Sequence, residues 1–248
     1  MEDTRSRIVV VNFAPRARGL VRALVDFFPG DGIDLVCTGD APVEASRAAL
    51  RGVEGVEGVF FPGSVSQGVD TFTALLEADV DPANAAAIIV LPKLESVEVD
   101  AHSRLTCVAL QRAIGDAPMP TVVVAIEDPE ASFEFSGLGV TTIFYPGFLR
   151  AALFAHACVE LPVFHFILAL LRGRFRLQTL PISEDMRARS FGDACMTLER
   201  DHEGRPISLV GVFAEDPEGG APTMAINPGR RYALRDAQSF LAISERRR

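Results

Sequence analysis

Apolar residues in this chain fall into short continuous runs that alternate with segments of helical spacing. Residues 8–13, IVVVNF, have the unbroken apolar character of a strand covered on both faces, and 19–28, GLVRALVDFF, then repeat with a helical period. Residues 33–38 (IDLVCT), 59–61, 86–91 (AAIIVL), 121–126 (TVVVAI) and 141–144 predict further strands. Helices are predicted from Pro42 onward (VEASRAALRG), over 71–78 (TFTALLEA) and over 100–114. This alternation predicts an α/β fold with a Rossmann-like doubly wound parallel sheet, because each right-handed crossover returns the chain to a parallel position.

The pattern changes at 148–171, FLRAALFAHACVELPVFHFILALL, the most apolar long segment, which predicts a helical crossover linker interrupted near Pro162. Phe148, Ala152, Ala155 and Val159 share one helical face, with Leu149 and Leu153 alongside. After Pro162 the apolar face widens to Val163, Phe164, Phe166, Ile167, Leu168, Leu170 and Leu171, leaving only His165 polar. Such a helix is either a core element or a subunit interface. Arg150, His156, Glu160 and His165 interrupt it too often for a bilayer span, which asks for ~20 predominantly apolar residues. Beyond it, 175–182, 208–213, 223–226 and 239–243 predict short strands. They are separated by the turn signals DHEGRP, AEDPEGGAP and Asn227, Pro228, Gly229. This last part reads as a small α+β C-terminal lobe. Three parts result: a Rossmann-like lobe at 1–147, the crossover at 148–174 and the C-terminal lobe at 175–248.

The net charge of -9 argues against a nucleic-acid surface, which needs clustered Lys and Arg; only Arg246, Arg247 and Arg248 form a basic cluster. Cys37, Cys107, Cys158 and Cys195 lack metal-site or redox spacing and read as small buried hydrophobes of a reducing cytoplasm. The N-terminus, MEDTRSRIVVV, has no apolar signal region.

Candidate chemistry gathers where the predicted strands end. The loop at 12–19, NFAPRARG, stands where a dinucleotide-binding protein carries GxGxxG, and only Gly19 survives of the glycines. Arg16 and Arg18 offer charge-assisted hydrogen bonds to an anionic ligand, or are solvated residues of a surface loop. A ribose-binding acid is expected after the second strand, but Gly39 stands there, followed by Asp40, which serves that role one position late or caps the next helix. The ligand-binding candidates are Asn12, Phe13, Arg16, Arg18, Gly19, Thr38, Asp40, Glu127 and Asp128. Glu127, Asp128, Glu130 and Glu134 follow the fifth strand, and Glu127, Asp128 and Glu130 are metal candidates for a divalent cation such as calcium. The other reading of these acids is helix N-terminal residues favoured by the dipole. Glu215, Asp216 and Glu218 form a weaker acidic group in a turn. His102, His156, His165 and His202 are scattered, those on the linker reading as core or interface histidines, and neither GxSxG nor HExxH occurs.

Several phrases resemble one family. GSVSQGVDTFTALLEADVDPANAAAIIVL (63–91), Asp100 with the following HSRLTCVALQRA, VVVAIEDPEASFEFSGLGVTTIFYP (122–146) and LVGVFAEDPEGGAPTMAINPGRRYALRDAQSFLAI with Asp236 resemble RCK (TrkA-like) domains. These domains form the cytosolic gating assemblies of potassium channels and transporters. The resemblance covers nearly the whole chain. It implies a non-enzymatic, ligand-sensing regulatory module that dimerises and assembles into a ring. Phe148, Phe154, Val163, Phe164, Phe166, Ile167 and Leu170 are then the dimer-interface candidates. The implied partner is a potassium channel pore or the membrane subunit of a K+ transporter, with the module at the cytoplasmic face through that partner or through a pore segment of a longer chain. The resemblance leaves the ligand unidentified, with a divalent cation such as calcium and a nucleotide as the candidates. The altered glycine loop, Ser64 where many members have Asp, and Gly39 in place of the ribose acid depart from the nucleotide-gated pattern. The alternatives are an NAD(P)-dependent Rossmann oxidoreductase and a scaffold subunit that binds no small molecule.

Overall fold

The computed structural model describes residues 5–27, 32–51, 53–172, 175–201, 204–214 and 223–245. His202, the acids Glu215, Asp216 and Glu218, and the tail Arg246, Arg247 and Arg248 lie outside the described residues. The chain divides into two compact units, Met1–Phe154 and Ala155–Arg248.

The first unit is built on six strands: β1 (Ser6–Val11), β2 (Ile33–Gly39), β3 (Val56–Pro62), β4 (Ala87–Val90), β5 (Thr121–Ala125) and β6 (Thr142–Phe144). They pair in parallel in the order β3-β2-β1-β4-β5-β6. The helices between them are α1 (Arg18–Phe27), α2 (Val43–Leu50), α3 (Val69–Leu75) and α4 (Val99–Ile114). Side chains alternate along β1, so Ile8 and Val10 join Val21 of α1 and Ala49 and Leu50 of α2 in one core. Val9 and Val11 join Phe72 of α3 and Cys107 and Leu110 of α4 in the other. Burial on both sheet faces is the physical origin of the unbroken IVVV run.

Three local expectations are corrected. The third strand is longer than 59–61, since pairing with β2 in register Ile33↔Val56 to Gly39↔Pro62 recruits residues whose own pattern is mixed. The helix expected over 71–78 ends as α-helix at Leu75 and continues as a π-helical segment, Leu76–Val80. The segment stops at Asp81, which is left-handed at φ 48°. After β5, where reading the acids as helix N-terminal residues puts a helix, the chain forms a 3-10 segment, Pro129–Phe135.

The apolar linker is two helices, α5 (Pro146–Val159) and α6 (Leu161–Leu171), parted at Glu160 as Pro162 requires. Neither contains a buried residue. Among the described residues, no helix is long and apolar enough to cross a membrane.

The second unit carries an antiparallel sheet of β7 (Phe175–Pro181), β8 (Ile207–Ala214), β9 (Thr223–Ile226) and β10 (Ala237–Glu245), in the order β7-β10-β8-β9. Its core of Ile182, Met186, Phe191, Ala194, Val212, Leu234 and Phe240 includes side chains from α7 (Glu184–Arg187) and α8 (Phe191–Thr197). Both helices escape pattern reading because fewer than two full turns give a period too little length to repeat. α8 starts from a capping box in which Ser190 and Asp193 satisfy each other's backbone N–H groups.

Cys37 and Cys107 are buried, and burial pushes both thiols up, Cys107 to about 12. Cys158 and Cys195 are exposed, which corrects their reading as buried hydrophobes. His156 and His165 are likewise exposed in the single chain, so neither is a core histidine.

Candidate functional site

The carboxyl ends of β1, β2 and β4 meet where the strand order reverses, the place at which doubly wound sheets hold ligands. A cleft of about 500 Å³ opens there, lined by Asn12, Phe13, Ala14, Pro15, Arg16, Asp40, Ala41, Pro42, Lys93 and Glu95.

Asn12 takes the turn after β1 at φ 60°, a left-handed conformation that Asn tolerates better than other non-glycine residues. Its Nδ2 donates to the Leu91 carbonyl at 3.0 Å, tying the ends of β1 and β4 together. Phe13 lines the cleft, but its side chain is buried beside Phe60, with ring centroids 6.4 Å apart. Gly39 is required by close approach: a Cβ there would stand 2.5 Å from the Phe13 carbonyl oxygen. Its place where a ribose acid is expected follows from that contact, since a side chain would collide with the neighbouring loop. Gly19, by contrast, faces open space, and a Cβ on it would meet nothing within 4 Å.

The ionisable groups of the cleft are committed to one another. Arg16 Nη1 donates to Glu95 Oε1 at 2.5 Å and Nη2 to Oε2 at 3.4 Å. Lys93 donates to the Asp40 carboxylate and, at 2.6 Å, to Ser66 Oγ. Ser64 Oγ donates to Asp40 Oδ2 at 2.6 Å while accepting from Ser66 N. Burial pushes the Asp40 carboxyl up, but hydrogen bonds from Lys93 and Ser64 and the lysine charge outweigh it and hold the group below its ordinary value. Asp40 does not cap α2, whose N-cap is Pro42 with no side-chain bond. The capping expectation therefore fails, because Lys93 claims the carboxylate. His102 adjoins this network, with Nε2 3.3 Å from Ser66 Oγ. Burial, reinforced by the Lys93 charge and opposed by Asp40, lowers its pKa.

Of the sequence candidates, the cleft gathers Asn12, Phe13, Arg16 and Asp40. Arg18 opens α1 half-buried, and its Nε lacks a hydrogen-bond partner. Thr38 is fully buried with Oγ1 likewise unpartnered. The acids after β5 lie elsewhere. Asp128 Oδ1 caps the 3-10 segment by accepting from Glu130 N, and Asp100 of α4 accepts from the backbone N–H groups of both Glu127 and Asp128. Glu134 pairs with Arg104 at 2.6 Å. Among the described residues no three His, Cys, Asp or Glu side chains converge as a metal site, so Glu127, Asp128 and Glu130 are not brought together as one. Pattern reading missed Lys93 and Glu95. A signal was present for the first, which is the only lysine in the sequence and stands two residues beyond the apolar run of β4.

The six-stranded parallel sheet, the two helices after it and the small antiparallel sheet stand in the order of parts expected from the sequence. The human SLO3 gating ring matches 98% of this chain at a TM-score of 0.70 and 18% identity. The chain spans 48% of that solved chain. The crystal structure of the GsuK RCK domain matches 99% of this chain and 46% of its own at a TM-score of 0.43 and 19% identity. The NAD(P)-binding domain of an exopolyphosphatase-related protein from Archaeoglobus fulgidus matches 62% of this chain and 98% of its own, at a TM-score of 0.40 and 17% identity. No family model matches the sequence, and no curated protein does.

Proposed function

We propose that this chain is a cytosolic regulatory module of a potassium channel or K+ transport system. It self-associates through α5 and α6, within a crossover at 148–174, and assembles further into a ring beneath a membrane partner. The observation that carries the reading is α6. Its 11 residues, LPVFHFILALL, include none that is buried, which a lone chain in water has little reason to tolerate. Phe148, Phe154 and Phe166 are exposed, and Val163, Phe164, Ile167 and Leu170 are only partly covered, so all seven interface candidates have area left to bury on association. The fold shared with a gating ring supports the same reading. Ligand binding in the cleft of the first unit would act by favouring one state of the assembly over another, to the extent of its differential affinity.

Light scattering of the purified chain tests it. The parent should have the mass of a dimer or larger assembly. Joint Phe154→Ser and Phe166→Ser substitution should weaken association about thirtyfold or more, the effect of losing roughly 2 kcal/mol of interface anchoring. A monodisperse parent monomer at tens of micromolar would sink the proposal. A thermal-shift screen with calcium, NAD, NADH, ATP and ADP asks in parallel which ligand class stabilises the fold. If assembly is intact and no ligand shifts the melting temperature, the chain is a scaffold subunit, a reading favoured by the mutual pairing of the cleft's charges.

A further inference from the structure

Arg16 and Lys93 are the two cations lining the cleft, and each is held by a carboxylate of the same cleft. The two holders differ. Asp40 belongs to a network with Ser64, Lys93 and Ser66, and its side chain is 28% exposed. Glu95 is 64% exposed, and its carboxylate meets both terminal nitrogens of the Arg16 guanidinium. Its carboxyl is lowered chiefly by that bond. The pair joins residues 79 apart in sequence, one on the loop after β1 and the other on the loop after β4, and so straps the mouth of the cleft. An exposed ion pair of this kind contributes little to stability, and a strap this weak is readily displaced. The guanidinium fork that now meets two carboxylate oxygens presents the same geometry to a phosphate-type oxyanion.

From this geometry we infer that Glu95 is a built-in competitor: its carboxylate occupies the Arg16 guanidinium, and a phosphate-type oxyanion enters the cleft by displacing it. The inference rests on the reading of this cleft as the ligand site. It assigns Glu95 the task of setting the concentration at which an anion is felt. A weak or absent response to anions would then reflect self-occupancy rather than loss of the glycine loop.

Calorimetric titration with inorganic pyrophosphate at low ionic strength tests it, on the parent, Glu95→Gln, the double variant Glu95→Gln/Arg16→Gln, and Glu77→Gln. Glu77 is exposed on the π segment, so its substitution makes the same charge change away from the cleft. Glu95→Gln should bind roughly tenfold tighter than the parent, Glu77→Gln should match the parent, and the double variant should lose the gain. Equal binding by Glu95→Gln and parent, a gain shared by Glu77→Gln, a gain surviving in the double variant, or no binding by Glu95→Gln at millimolar pyrophosphate would each overturn it. The two readings fail separately. A nucleotide that binds parent and Glu95→Gln alike defeats the competitor while leaving a ligand-sensing module. An Arg16-dependent gain in Glu95→Gln, with no ligand shifting the parent, keeps the competitor and defeats ligand sensing.

Discussion

β1 and α6 are both apolar, yet they meet opposite fates. Ile8, Val9, Val10 and Val11 are completely buried, whereas no residue of α6 is buried. A strand in the middle of a sheet receives neighbours on both edges and helices on both faces, all from nearby stretches of the same chain. A helix that is apolar around most of its circumference needs more cover than one packed face supplies. The pattern of apolar residues therefore reports how much cover a segment requires, and says nothing about which molecule supplies it.

The difference can be broken first by substitution. Phe72→Ala, in the core beneath the sheet, should lower the unfolding free energy by about 3–5 kcal/mol in urea titrations. Phe166→Ser in dilute solution should cost under ~1 kcal/mol and act on association instead. Equal losses for the two would mean that α6 is packed in the isolated chain. The two glycines of the cleft region sharpen the point on a smaller scale. Gly39→Ala drives a methyl against the Phe13 carbonyl and should cost about 1–3 kcal/mol, while Gly19→Ala, in open space within α1, should gain up to ~1 kcal/mol. A neutral Gly39→Ala in chemical denaturation would remove the steric reason for glycine there.

The mildest effect is on pH dependence. The folded pKa of His102 lies below its ordinary value, so the unfolded chain takes up that proton first and stability falls as pH drops through about 6.5. His102→Gln should flatten the slope on the acid side of 6.5. A separate loss from Asp40, whose folded pKa is also lowered, should persist below about pH 4. An unchanged slope near pH 6 in His102→Gln would show that the imidazole titrates freely.

Much of the fold was legible for the reason that β1 illustrates. Strands buried on both faces must be apolar throughout, and helices packed on them must carry one apolar stripe, so the alternation of the first unit stands in the letters. The break at Glu160 was equally legible through Pro162. The cleft was only half legible. Asn12, Arg16 and Asp40 lie in loops whose position after a strand marks them, but the partners that decide their state are far away in sequence. Glu95 reaches Arg16 across 79 residues and Lys93 reaches Asp40 across 53. Such pairings depend on strand order, and neither spacing nor composition encodes it. Gly39 read as a missing acid, whereas the backbone contact with Phe13 makes it a steric necessity.

One feature of the cleft gives it a built-in spectroscopic reporter. Because Lys93 is the sole lysine among 248 residues, feeding the expression host nitrogen-15 lysine places one labelled ammonium in the protein. That ammonium touches Asp40 and Ser66, so its single resonance follows the cleft's state without competition from any other side chain. The same uniqueness makes mild amine-directed chemistry a footprint: apart from the chain's own N-terminus, an acylating reagent has one primary amine to find, and anything that fills the cleft changes how fast it finds it.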